Sequence, residues 1–307
     1  MIPLSLIAAL LLEQWRPLAS RRHLRAWVSS YAQSFPHRFN AGEHAHGRIA
    51  WLIAVLLPLL VTAALSWLLH VIHPVFSWMF CVLVLYLTMG FRQFSHYFTD
   101  IHKALSDGDL DRARVLLSEW RGIPSHELNA EEVTRVALEQ ALLAAHHHVF
   151  GVMVWFAFTM LIGLGPAGAV LYRLSLVLRE AWRQEGDAFG AFTQQASYWI
   201  DWLPLRLTAI TFAIVGNFED TIYCWRSQAQ TWFDPEAGIV LAAGAGALGV
   251  RLGGAIPQDG HLFDRPELGA GDEADTDFMQ SMVGLAWRAL AFWMVLLLLL
   301  SLARLIG

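Results

Sequence analysis

The 307-residue chain is 56% hydrophobic and only 15% charged, against about 25% charged residues in a soluble domain, so lipid is its main solvent. A formal charge of -5 without Lys/Arg runs excludes the basic surface that nucleic acid requires. Cys81 and Cys224 stand apart with no paired spacing, which excludes a disulfide framework.

The chain opens on Ile2 to Leu12, apolar but short for a span. It either begins a tilted crossing or lies in the interface. It has no positive n-region and no small-x-small cleavage pattern, so it reads as retained and not as a removable signal. Residues up to 49 complete this N-terminal part as a polar, basic loop holding Arg16, Arg21, Arg22, Arg25 and Arg48. The positive-inside rule puts that loop in the cytoplasm.

Residues 50–91 read as a transmembrane hairpin. Ala50 to Val71 is uncharged, with Trp51 and Trp67 near its ends, and Val75 to Phe91 returns after a turn at His70 to Pro74. Residues 92–148 then read as a cytoplasmic αα-hairpin. Leu110, Ala113, Leu117 and Trp120 recur at helical spacing between Asp109 and Gly122, and Asn129 with Glu132 forms a capping-box start for a second helix.

Residues 149–218 read as broken membrane segments. Val149 to Tyr172 is uncharged and long enough to cross a bilayer, but Gly163-Leu-Gly165-Pro166 interrupts it. It is either one kinked span or two half-helices entering and leaving on the same side. Arg173, Arg179 and Arg183 beyond it favour the second. Arg206 lies inside the next apolar stretch, Ile200 to Phe218. An arginine there is costly against lipid and has to face protein, water or an anion, and pairing with Asp201 competes with ligand binding as its purpose.

Residues 219–285 read as a Gly-rich and acidic polar region, with Gly253 to Phe278 as a loop, and residues 286–307 as a final span. Gly244, Gly246 and Gly249 satisfy G-x-G-x-x-G, but without alternating strands and helices the glycines read as helix-packing residues and not as a dinucleotide turn. The run His146-His147-His148 reads as interfacial, hydrogen-bonding histidine. Consecutive helix positions point about 100° apart, so the run is poorly shaped to ligate one ion, and no metal site is assigned. The fold class is therefore all-α, a polytopic integral membrane helical protein with a cytoplasmic αα-hairpin and a Gly-rich loop region. Bottom-up, Arg206 is the leading functional arginine, and Glu219 with Asp220, at the end of an apolar segment, are the carboxylates least explained as solvated caps.

Three stretches resemble the CobD/CbiB family of cobalamin-biosynthesis membrane proteins and its AmpE-type relatives. They are Leu105-Ser-Asp-Gly-Asp-Leu-Asp-Arg-Ala-Arg114 with Arg121-Gly122, Asp201-Trp-Leu-Pro-Leu-Arg-Leu-Thr-Ala209, and Gly246-Ala-Leu-Gly-Val-Arg-Leu-Gly-Gly254. The resemblance implies an amide-forming ligase that joins aminopropanol phosphate to a corrinoid acid using ATP and Mg²⁺. It implies Glu139 and Arg206 as catalytic residues and Arg251, Gly253, Gly254, Asp201 and Glu219 around a phosphorylated ligand. Its implied partners are membrane lipid and a corrinoid or phosphorylated small molecule. Leu143-Ala-Ala-His-His-His148 stands where the family carries an acidic patch, and apolar Leu174 to Leu178 where it carries Asn and Asp. An AmpE-like, non-enzymatic membrane regulator is the alternative that these departures favour.

Overall fold

A computed structural model describes residues 2–15, 21–39, 44–183, 187–258 and 260–306; Arg16 lies outside the described residues. In chain order the helices are α1 (Ile2–Trp15), α2 (Arg21–Phe39), α3 (His44–Ile72), α4 (Pro74–Thr88), α5 (Phe91–Ser106), α6 (Leu110–Arg121) and α7 (Ala130–Ala145). A π-turn over His146–Phe150 leads into α8 (Gly151–Leu161). Then come α9 (Ala167–Ala181), α10 (Asp187–Val215), α11 (Phe218–Gln228), α12 (Pro235–Leu248) and α13 (Thr276–Ile306). Four short strands precede α13: β1 (Leu252–Gly253), β2 (Ile256–Gln258), β3 (His261–Phe263) and β4 (Glu267–Leu268).

Among the described residues three helical stretches are long and apolar enough to cross a membrane: Ala45–Ile72, Ala130–Leu161 and Thr276–Ala303. Crossing takes about 20 residues. Within the second stretch the residues from Gln140 onward carry no formal charge, so its first turns, with Glu131, Glu132, Arg135 and Glu139, are not needed for crossing. In its apolar 18-residue window, 72% of the residues are buried inside the protein. A window that is apolar on every face and mostly covered by protein is what a core helix requires.

The chain divides into two compact units. The first comprises Met1–Gly90, Gly151–Pro204 and Leu297–Gly307. Its α3–α4 hairpin turns where the sequence places it, with the His73 imidazole accepting the Val75 N–H at 3.2 Å. The basic stretch read as a loop is instead largely the helix α2. Its apolar positions Ala32 and Phe35 pack with Trp51, Ala54, Val55, Leu178, Trp182 and Phe189 into one buried cluster. The Trp182 indole donates to Ala32 O at 2.8 Å, and the Tyr31 hydroxyl to Ala54 O at 3.0 Å. A few apolar residues at helical spacing suffice to anchor a helix that composition alone assigns to solvent.

The interrupted apolar run is a tight antiparallel helical pair. A Cβ on Gly151 would lie 2.1 Å from the Tyr172 ring, and one on Gly168 would lie 2.1 Å from Trp155 O. Closer to the turn, the Thr159 hydroxyl donates to Gly165 O at 2.9 Å and accepts from Gly168 N–H at 3.0 Å. α9 therefore doubles back along α8, which excludes a single straight crossing for Val149 to Tyr172.

The second unit comprises Phe91–Phe150 and Leu205–Leu296. α6 is capped by the Asp109 carboxylate at one end and by left-handed Gly122 at the other, and α7 starts with the full Asn129/Glu132 capping box. Both starts were legible because side-chain caps satisfy helix N–H groups that have no other partner. The glycines of α12 bring helices close: a Cβ on Gly246 would lie 2.6 Å from Asp220 O on α11, and one on Gly244 would lie 2.4 Å from a Leu142 methyl on α7. Gly244 and Gly246 sit inside this helix and Gly249 is its left-handed C-cap, so the G-x-G-x-x-G string marks helix packing and a helix end. The triple histidine differs from expectation: His146 is fully buried, and its Nδ1 lies 2.9 Å from the Thr208 hydroxyl.

The segment read as a loop after Gly253 is an interrupted β-hairpin. β2 pairs antiparallel with β3, and β1 with β4. Between the two ladders the chain kinks at Gly254–Ala255 on one leg and Asp264–Pro266 on the other. Runs of two or three paired residues interrupted by Gly and Pro carry no period-2 signal, so sequence patterning misses them.

Candidate functional site

The kink is fixed by a buried ion pair. Glu139 projects from α7, and Arg265 comes from the return leg of the hairpin; their side chains are 8% and 7% exposed. The guanidinium grips the carboxylate with both ends, Nη1 to Oε2 at 2.7 Å and Nη2 to Oε1 at 3.1 Å. Gly253 N–H donates to the same Oε1 at 2.9 Å. Arg265 continues inward, donating Nη2–H to Gly253 O at 3.1 Å and Nε–H to Gly254 O at 3.0 Å, while its Cζ lies 5.5 Å from the Trp232 ring centroid. Gly253 and Gly254 hold φ of +75° and +69°, a pair of left-handed residues that only glycine adopts in series without strain. A Cβ on Gly253 would fall 2.0 Å from Pro266 O.

Two more arginines flank this corner. Arg135 lies one turn before Glu139 on α7, and its Nη2–H donates to Ala255 O at 3.2 Å. A Cβ on Gly254 would lie 3.3 Å from the Arg135 Nη1. Glu131 stands 3.7 Å from that Nη1 and is itself 43% exposed. At the end of α6, Arg121 is half-buried, with its Nη1 3.5 Å from the Ser125 hydroxyl. Burial pushes the Arg121 guanidinium below the ordinary arginine range, Glu139 pulls it back up, and Arg265 pushes it down again. The Nε–H groups of both Arg121 and Arg135 are buried without a hydrogen-bond partner among the described residues.

Of the residues expected from sequence, the structure brings Glu139, Gly253 and Gly254 together here. Arg251 does not join them: it is exposed, ion-paired to Glu273 at 3.2 Å, and its N–H donates to Asp272 O at 2.8 Å. Glu219 is exposed in the first turn of α11. Arg206 is half-buried on α10, two residues before the Thr208 that meets His146. Asp201 is buried in the first unit, where it accepts the Tyr172 hydroxyl at 2.8 Å. The three arginines that make the corner cationic were missed. Arg121 stands next to Gly122 in the first family-like stretch, and Arg135 has Glu139 at i+4, but nothing local marks Arg265 as their companion.

This donor set suits phosphate oxygens: guanidinium forks pair with them bidentately, in a partly desolvated place. It does not suit Mg²⁺, which wants hard oxygen ligands, because the carboxylate at the centre is already gripped by Arg265.

The corner also coincides with the last of the family-like stretches, and comparison with known proteins bears on the whole chain. The model of the family described as CobD/Cbib protein matches residues 6–286. A "Cobalamin biosynthesis protein CobD" of Stutzerimonas stutzeri is 35% identical over 302 residues, 96% of each chain. Its namesake in Chromobacterium violaceum is 37% identical over 218 residues, 70% of this chain and 68% of that one. A "Cobalamin biosynthesis protein CbiB" of Salmonella typhimurium is 25% identical over 289 residues, covering 90% and 89%. No solved structure gives a significant match. With nearly its full length matched, and the glycines that build the cationic corner inside the match, this chain belongs to the CobD/CbiB family.

Proposed function

We propose that this protein is a multi-pass inner-membrane enzyme of cobalamin biosynthesis that joins an aminopropanol phosphate to the carboxyl group of a corrinoid acid. The reaction forms an amide between the carboxyl carbon and the amine nitrogen with net loss of water, a condensation that the family resemblance couples to ATP and Mg²⁺. The observation that carries the reading is the cationic corner at Gly253–Ala255, where Arg265 grips the Glu139 carboxylate, Arg135 donates to Ala255 O and Arg121 lies within the electrostatic reach of both Glu139 and Arg265. A substrate whose amine sits on a phosphorylated tail would present its phosphate there, leaving the amine to be oriented by the rest of the site. Glu139 acts in this reading as the anchor of the corner, since both its oxygens already accept hydrogen bonds. The AmpE-like regulator alternative draws no support from the relatives, whose names place them in cobalamin biosynthesis.

The test is deletion in the native host. The deletion strain should lose cobalamin-dependent growth, regain it when cobinamide is supplied, and accumulate the corrinoid acid. Normal growth without supplement, or a defect that cobinamide does not relieve, would overturn the proposal.

A further inference from the structure

We propose that a pocket of the first unit, between α2, α3, α4 and α9, binds one anionic phospholipid, taking a stretch of acyl chain inside and the phosphate at Arg173. The pocket has a volume of about 230 Å³, with Pro58, Val170 and Leu174 among its walls and Trp27 and Tyr31 on the α2 side. Both hydroxyls on its lining are spent as donors inside the protein. Pro58 has no N–H, so the Ala54 carbonyl one turn earlier lacks its helical donor. The Tyr31 hydroxyl donates to that carbonyl at 3.0 Å, and the Thr88 hydroxyl donates to Val84 O at 2.7 Å. Apart from the Arg173 guanidinium, the pocket therefore offers hydrocarbon and aromatic surface, which suits an apolar occupant. A dry cavity of roughly 150 Å³ already holds a benzene ring, so there is room for a segment of chain.

Depth and charge identify that occupant. α3 has no charged residue after Arg48, and Pro58 lies about 15 Å beyond it along the helix. In a bilayer crossed by α3 the Pro58 wall is thus at hydrocarbon depth, where the available ligand is a lipid chain and not a solute from water. The charge comes from two elements. From Gln14 to Gly42 the chain holds Arg16, Arg21, Arg22, Arg25 and Arg38 and no Asp or Glu. Arg21, Arg22 and Arg25 belong to the first turns of α2, just ahead of Trp27. Such a basic segment beside an apolar helix face draws anionic head groups. Arg173 brings a further cation to the pocket from α9, and it is the one charged residue on the lining. Trp27, 69% exposed, stands at the open edge and is held there by stacking on Tyr31, with ring centroids 6.2 Å apart. A recess with apolar walls and a cation at its side differs from the smooth helix surfaces that any lipid coats.

The experiment uses the full-length protein, purified in a maltoside detergent and stripped of lipid. Phosphatidylglycerol and phosphatidylcholine with identical acyl chains are the probes, and native mass spectrometry counts the lipid retained per chain. Wild type should retain one phosphatidylglycerol at a concentration about tenfold below that needed for phosphatidylcholine. Arg173→Gln should cut this preference about fivefold, the worth of one arginine at a membrane surface. Val170→Phe, which fills the pocket and keeps the charge, should abolish the retained lipid. Arg183→Gln, at an exposed ion pair with Glu180 near the end of α9, should behave like wild type. Equal retention of the two lipids by wild type, or a Val170→Phe variant that retains lipid as wild type does, would overturn the site. A second measurement needs no change to the pocket walls: phosphatidylglycerol with brominated chains should quench tryptophan fluorescence at one lipid per chain, and Trp27→Phe should remove part of that quenching. No quenching at that ratio would also overturn it. Glycerol 3-phosphate should not displace the lipid; displacement would show that a head group alone is held, and the acyl-chain pocket would be wrong.

Discussion

Replacing Glu139 by Gln tests whether the corner is held by its buried pair. Both partners are more than nine-tenths buried, so solvent cannot screen or replace what is lost. Gln keeps the shape but removes the charge, and offers one acceptor where Arg265 Nη1, Arg265 Nη2 and Gly253 N–H now find two oxygens. Leaving one member of a buried pair uncompensated costs about 3–5 kcal/mol. Removing both charges, as in Glu139→Leu with Arg265→Met, should cost less than the two single changes together. It should still cost something, because Gly253 N–H loses its acceptor and the carbonyls of Gly253 and Gly254 lose their donors, at about 1–3 kcal/mol for a buried group left unmatched. Denaturant unfolding in detergent, followed by tryptophan fluorescence, measures the cycle, with Trp232 against Arg265 as a local reporter. A Glu139→Gln variant destabilised by less than about 1 kcal/mol, or strict additivity in the cycle, would refute the reasoning.

Other outcomes follow from the same geometry. Gly246→Ala should destabilise more than Gly244→Ala, because the new methyl meets the Asp220 backbone in the first and the movable end of Leu142 in the second; equal thermal shifts would contradict this. Asn129→Ala should cost about 1 kcal/mol, the usual worth of a helix cap, and a capping-box acceptor such as Ser should recover most of it in the same unfolding assay. Single cysteines at His126 and His261 should label with an impermeant reagent from one and the same side, since the Glu127 carboxylate accepts Gly260 N–H at 3.0 Å; the proposed topology makes that side cytoplasmic. His126 is the better probe there because neighbouring Ser125 is buried. His146→Ala should lower stability by about 1–3 kcal/mol through the loss of its buried contact with Thr208; an unchanged unfolding midpoint would contradict this.

What the sequence made legible is what local rules determine. The α3–α4 hairpin and the caps of α6 and α7 follow from residues within a few positions of one another, and the density of small residues marks α12 as a packing helix although its partners Leu142 and Asp220 lie elsewhere in the chain. α2 was misread because its polar majority outweighed Tyr31, Ala32 and Phe35, whose burial depends on partners more than 100 residues away such as Trp182. The hairpin at β1–β4 escaped for a related reason. Its ladders are short, and its kink is held by Arg265 reaching a carboxylate 126 positions earlier in the chain. The site divides along the same line: Gly253 and Gly254 lie in a family-like stretch and Glu139 was implied by the family resemblance, while Arg135 and Arg265 join them only in three dimensions.

The glycines from Gly244 to Gly254 show why a single sequence signature can mislead about ligand binding. Gly244 and Gly246 are there because neighbouring helices leave no room for a Cβ, and Gly249 closes the helix while its carbonyl accepts Asp272 N–H at 3.1 Å. Packing or the helix end accounts for each of the three. Gly253 and Gly254 differ, because their left-handed backbone turns consecutive carbonyls onto the Arg265 guanidinium and sends Gly253 N–H to Glu139. That arrangement consumes Arg265 and Glu139 in building the corner. The left-handed glycines are therefore needed to build the corner, while the Nε–H groups of Arg121 and Arg135 find no partner among the described residues.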